Sequence, residues 1–109
     1  MYKNWQYQLV IQFHLDDGDL GRYESVIQFE SDLEDWLAAD SEIDGHDAGA
    51  GEMNIFVHTN DPPATLQLVQ ALLPRLGAAS DGYSAGYRHF SEDEYTPIWP
   101  PGLASFEVK

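Results

Sequence analysis

From Trp5 to His14 the chain alternates without a break. Trp5, Tyr7, Leu9, Ile11 and Phe13 fall on one side, and Gln6, Gln8, Val10, Gln12 and His14 on the other. A period of two with large apolar groups on one side marks a strand that buries one face and wets the other. Such a strand needs neighbours at its edges and a cover over its apolar face, and the rest of the chain must supply both.

Asp16-Asp17-Gly18-Asp19 reads as a turn. Residues 24–39 then read as a helix, because Val26, Ile27, Leu33, Trp36 and Leu37 recur at steps of three and four. Phe29 sits beside that stripe, and Glu30, Asp32, Glu34 and Asp35 take the wet side. Residues 42–59 read as a hairpin around Gly49-Ala50-Gly51, where glycine tolerates the positive φ of a tight loop. Setting Ile43 opposite Val57 and Gly45 opposite Ile55 keeps every apolar side chain inward. The outward pairs are then Glu42 with His58, Asp44 with Phe56, and His46 with Asn54. A second helix has clear ends: Asp61 to cap it, Pro62 at its first position and Gly77 to close it. Its apolar stripe is Leu66, Val69, Leu72, Leu73 and Leu76. Residues 82–90 read as a further strand. The run Tyr95-Thr-Pro-Ile-Trp-Pro-Pro-Gly102 is too rich in proline for a helix or a central strand, and residues 104–108 read as a short edge strand.

The order β-α-β-β-α-β predicts a single α+β domain over residues 1–109, a ferredoxin-like sandwich. In it a four-stranded antiparallel sheet carries two helices on one face. Residues 92–109 form a proline-rich tail expected to lie across the open sheet face and cover Val10 and Phe56.

Charge is the strongest compositional signal. Nineteen acids oppose five bases, for a formal charge of −14, and thirteen of the acids fall between Asp16 and Glu52, where Arg22 is the only base. Nucleic acid and anionic membranes are repelled by such a field, whereas a basic protein or a cation is attracted. With 43% apolar residues the chain is composed like a folded globule rather than an acidic tail. It contains no cysteine, so thiolate and disulfide chemistry are excluded. The start of the chain lacks the pattern of a signal peptide and no apolar run is long enough to span a bilayer, so a cytoplasmic location is expected.

Few residues suggest chemistry. In the expected topology His14, His46 and Glu52 approach one another, with Asp16 and Asp47 nearby, and two imidazoles with a carboxylate suit a divalent cation. The simpler reading, which we prefer, is that these groups solvate an open sheet face. The serines lie in no nucleophile-elbow context, and Gly49-Ala50-Gly51 lacks the Lys-Ser/Thr of a phosphate loop. No nucleophile has a matching base and oxyanion donors, so neither catalysis nor a cofactor is expected.

The run Asp44-Gly-His-Asp-Ala-Gly-Ala-Gly-Glu-Met-Asn-Ile-Phe-Val57, with Tyr95 to Gly102, resembles a small bacterial family of uncharacterised proteins. In size and charge the chain is also similar to toxin-immunity proteins, a likeness that implies binding and blocking a toxic enzyme. Two function classes stand beside each other. The first is a binding domain that engages a basic protein, such as a nuclease-like toxin, through Glu30, Glu34, Asp35, Asp44, His46 and Asp47. The second is a metal- or small-ligand-binding domain that uses His14, His46 and Glu52 on the open sheet face.

Overall fold

The computed structural model describes residues 5–15, 20–37, 41–49, 51–75 and 82–108. Its elements run β1 (Tyr7–His14), α1 (Leu20–Trp36), β2 (Ser41–Gly49), β3 (Glu52–Thr59), α2 (Pro62–Leu72), β4 (Tyr83–His89) and β5 (Thr96–Trp99). The strands form one five-stranded antiparallel sheet in the order β2-β3-β1-β4-β5. The expected four strands thus become five. Part of the proline-rich run pairs with β4, with Tyr87 opposite Thr96 and Gly86 opposite Pro97. Proline is tolerated there because β5 is the last strand and one of its edges donates to no neighbour. Residues 104–108 form no strand.

The alternation in β1 does what it implies. Leu9, Ile11 and Phe13 are fully buried against Met53, Ile55 and Val57 of β3 and Ala85 of β4. The helices close this face with Val26, Phe29, Leu33 and Leu37 from α1 and its end, and with Leu66, Val69, Leu72 and Leu73 from α2 and its end. Phe29 belongs to the centre of the α1 stripe rather than its margin, and its ring meets Phe13 edge-on at 6.2 Å. Trp36 leaves the stripe. It is 49% exposed, and its indole N–H donates to the Leu68 carbonyl of α2 at 2.8 Å. The helix also begins four residues before the expected 24, because Tyr23 and Ile27 pack against the core and packing outweighs the modest propensity cost of the β-branched pair.

At α2, the Asp61 carboxylate accepts from the Ala64 N–H at 3.2 Å and Pro62 stands at the start. Leu76 and Gly77 lie outside the described residues, as do the Asp16–Asp19 turn and Ala50 of the hairpin loop. Gly51, at the other side of that loop, has φ of 77°.

The hairpin register departs from expectation midway along β2. Glu42 pairs with His58 and Ile43 with Val57, but a β-bulge follows, and Gly45, not Asp44, stands opposite Phe56. Gly45 holds φ at 139°, a conformation that side-chain-bearing residues rarely adopt. One extra residue inverts everything after it. His46 pairs with Ile55 and Asp47 with Asn54. His46 is therefore turned to the helical side, against the expectation that it faces outward.

Candidate functional site

The bulge decides which of the charged residues meet. His46 Nδ1 lies 2.9 Å from the Glu30 carboxylate, which is itself only 12% exposed. Since a carboxylate accepts, the ring donates through Nδ1–H. Glu30 is thus tied to the sheet edge instead of standing on the wet side of α1. On the strand, Asp44 reaches His58 Nε2 at 3.4 Å, and the His58 ring packs edge-on to Phe90 at 5.0 Å. Glu34 and Asp35 stay exposed on α1, and Glu42, Asp44 and Asp47 are exposed along β2. The six residues expected to meet a partner therefore fall into two groups. Glu34, Asp35, Asp44 and Asp47 face solvent, and Glu30 with His46 forms a lateral pair joining α1 to β2.

The expected cation site does not assemble. His14 and Glu52 are opposite each other on β1 and β3, on the face away from the helices. His46 is on the other face, bonded to Glu30. The sheet itself separates the two imidazoles, and the described residues contain no group of three or more metal-ligating side chains. Asp16 lies outside the described residues.

The face away from the helices carries a polar row that the sequence reading leaves unassigned. Asn54 Nδ2 donates to Asp47 at 2.9 Å, Gln12 Nε2 donates to Asn54 Oδ1 at 3.0 Å, and Ser84 Oγ donates to Gln12 Oε1 at 3.4 Å. Four strands are stitched together side chain to side chain, and Asn54 is 1% exposed. Gln12 also donates to the Glu107 carbonyl at 2.8 Å, and the Tyr95 hydroxyl donates to Gln8 at 2.6 Å. Phe106 is buried directly over Gly86, where a β-carbon would come within 2.5 Å of its ring. The residue that makes room is a glycine, and the phenyl fills the space. The only sequence signal for this network is the glutamine spacing in β1, which by itself reads as solvated polarity.

Around the end of α1, a cleft of about 410 Å³ is lined by Glu34, Leu37, Ser41, Glu42 and Ile43. The Glu42 carboxylate accepts the Trp5 indole N–H at 3.0 Å. No helix of the described residues is long and apolar enough to cross a membrane. Compared with family models, curated proteins and solved structures, the chain matches none.

Proposed function

We propose that this protein is a binding domain for a basic protein, engaged through the outer face of α1 and the edge strand β2, and that its scaffold is a ferredoxin-like sandwich extended by one strand. The scaffold reading is supported by the succession β2-β3-β1-β4, in which the two β-α-β units interleave and β5 adds to the β4 edge. The binding reading is carried by one observation. Glu24, Glu34, Asp35, Glu42, Asp44 and Asp47 are all exposed on α1 and β2, and Arg22 is the only base in those two elements. That unbalanced field attracts cationic partners and repels nucleic acid. An inhibitor of a basic toxic enzyme is the form of this function that suits a small acidic domain.

The kinetics of association test it. A partner recovered by pull-down from the host should bind with an on-rate that falls by about tenfold between 0.01 M and 0.15 M salt, as the screening length shortens from about 30 Å to about 8 Å. Replacing Glu24, Glu34 and Asp35, all exposed on α1, together by Gln or Asn should lower the on-rate at low salt and leave the dissociation rate nearly unchanged. Glu30 is omitted from the set because its bond to His46 makes it structural. An on-rate indifferent to both salt and the triple substitution would sink the proposal.

A further inference from the structure

We infer that the open edge of β2 receives an extended basic segment of the partner, which joins the sheet as one more strand. This rests on the reading of the acidic surface as a site for a basic protein, and it states how that surface grips. Among the described residues β2 pairs with β3 alone, so its second edge lies open. Which backbone groups reach that edge follows from one hydrogen bond. The Leu15 N–H donates to the Gly51 carbonyl at 2.9 Å, directly beyond the His14–Glu52 pair. Successive residues of an antiparallel strand turn their N–H and C=O to opposite sides. Since Gly51 bonds toward β1, so do Met53, Ile55 and Val57, and Asn54, Phe56 and His58 turn their groups to β2. Glu42, Gly45 and Asp47 answer them from β2. Ile43, His46 and Ala48 stand opposite Val57, Ile55 and Met53, so their N–H and C=O point to the open edge. From His46 to Gly49 every residue is exposed, which leaves these groups within a partner's reach.

The two edges of the sheet are finished differently. β5 is four residues long, carries Pro97 and runs into Pro100, and proline has no N–H to offer an added strand. β2 is nine residues long and contains no proline. Its guards are charge and the bulge at Gly45, devices that sheets use against pairing edge to edge with their own kind.

The charge selects the occupant. Glu42, Asp44 and Asp47 line β2 without a lysine or arginine among them. A second copy laid along β2 would set these carboxylates against their own counterparts, which is repulsive. A strand with lysine or arginine at alternate positions meets them with the opposite sign. In such strand addition the main chain supplies affinity and the alternate side chains supply selection.

The probe is an acetylated and amidated heptapeptide of alternating lysine and threonine, titrated into the full chain at low salt. It should bind saturably and slow hydrogen exchange at the His46 and Ala48 amides by about tenfold. The same peptide N-methylated at every central residue keeps its charge and loses its backbone donors. It should bind about tenfold more weakly, as the loss of those hydrogen bonds implies. A glutamine–threonine counterpart should not bind. Ala48→Pro removes an N–H that the pairing with β3 does not use, a position where an edge strand tolerates proline. It should weaken the lysine peptide by about tenfold without changing the charge. Should that variant fail to fold, the N-methylated comparison on the unaltered chain decides. If both lysine peptides bind alike and the two amides gain no protection, edge pairing is refuted and the acidic surface stands. A glutamine peptide as tight as the lysine one would overturn the choice of a basic segment. So would a dimer in sedimentation that Ala48→Pro returns to monomer, because a second copy would then hold the edge. If neither lysine peptide binds at low salt, both readings fall.

Discussion

The two faces of the sheet are closed by opposite means. On the helical face Leu9, Ile11, Phe13, Ile55 and Val57 meet two helices through apolar contact alone, and none of these side chains has a polar atom to satisfy. On the other face a polypeptide segment without regular structure is held by Gln12 on the Glu107 carbonyl, by Tyr95 on Gln8, and by Phe106 seated over Gly86. Apolar burial is nearly non-directional, so many arrangements of similar volume can satisfy the first face. Hydrogen bonds and a single ring-sized vacancy are directional, so the second face accepts one placement of the segment. The first face should therefore carry most of the stability, and the second should carry positional definition.

Phe13→Ala should break the comparison most severely if it is wrong. Its ring is fully buried between Phe29 and Tyr83, and its loss should cost about 3–5 kcal/mol in denaturant unfolding. A cost near that of any change on the other face would mean the two faces share the load.

Asn54→Ala is the corresponding test of the polar row. It removes one hydrogen bond of Gln12 and the Asn54 donor to Asp47 in a nearly closed position, for an expected loss of about 1–3 kcal/mol. Asn54→Leu would distinguish the lost bonds from the lost volume, since it restores only the latter.

A more selective probe is Gly86→Ala. The added β-carbon collides with the Phe106 ring and with its own β-carbon, so the side chain cannot swing aside cheaply. Residues 103–108 should be released, at a cost of about 1–2 kcal/mol, with the sheet left intact. Faster amide exchange and proteolysis confined to the C-terminal segment would be the signature, whereas uniform loss of protection would contradict the division between faces.

The smallest effect belongs to Glu30→Gln. The Glu30–His46 pair is partly solvated and joins α1 to the sheet edge, so thermal unfolding should report about 0–1 kcal/mol. A larger loss would show that this lateral tie, and not the core beneath, fixes α1 on the sheet.

What the residues determined by themselves is local and periodic. The buried face of β1, the cap at Asp61, the stripe of α2 and the first rungs of the β2–β3 pairing all follow from spacing and from the chemistry of one or two side chains. The tertiary structure alone decided the rest. The bulge at Asp44-Gly45 transfers His46 to the helical side, because a single inserted residue inverts every later side chain in a strand. Glycine in that position permits the bulge without announcing it, since the same residue also suits a plain strand or a turn. That inversion separates His46 from His14 and Glu52 and joins it to Glu30, a partner distant in sequence and on another element. The seat of Phe106 on Gly86 is equally silent in the sequence. A vacancy has no pattern until the chain that fills it has been brought back across the sheet.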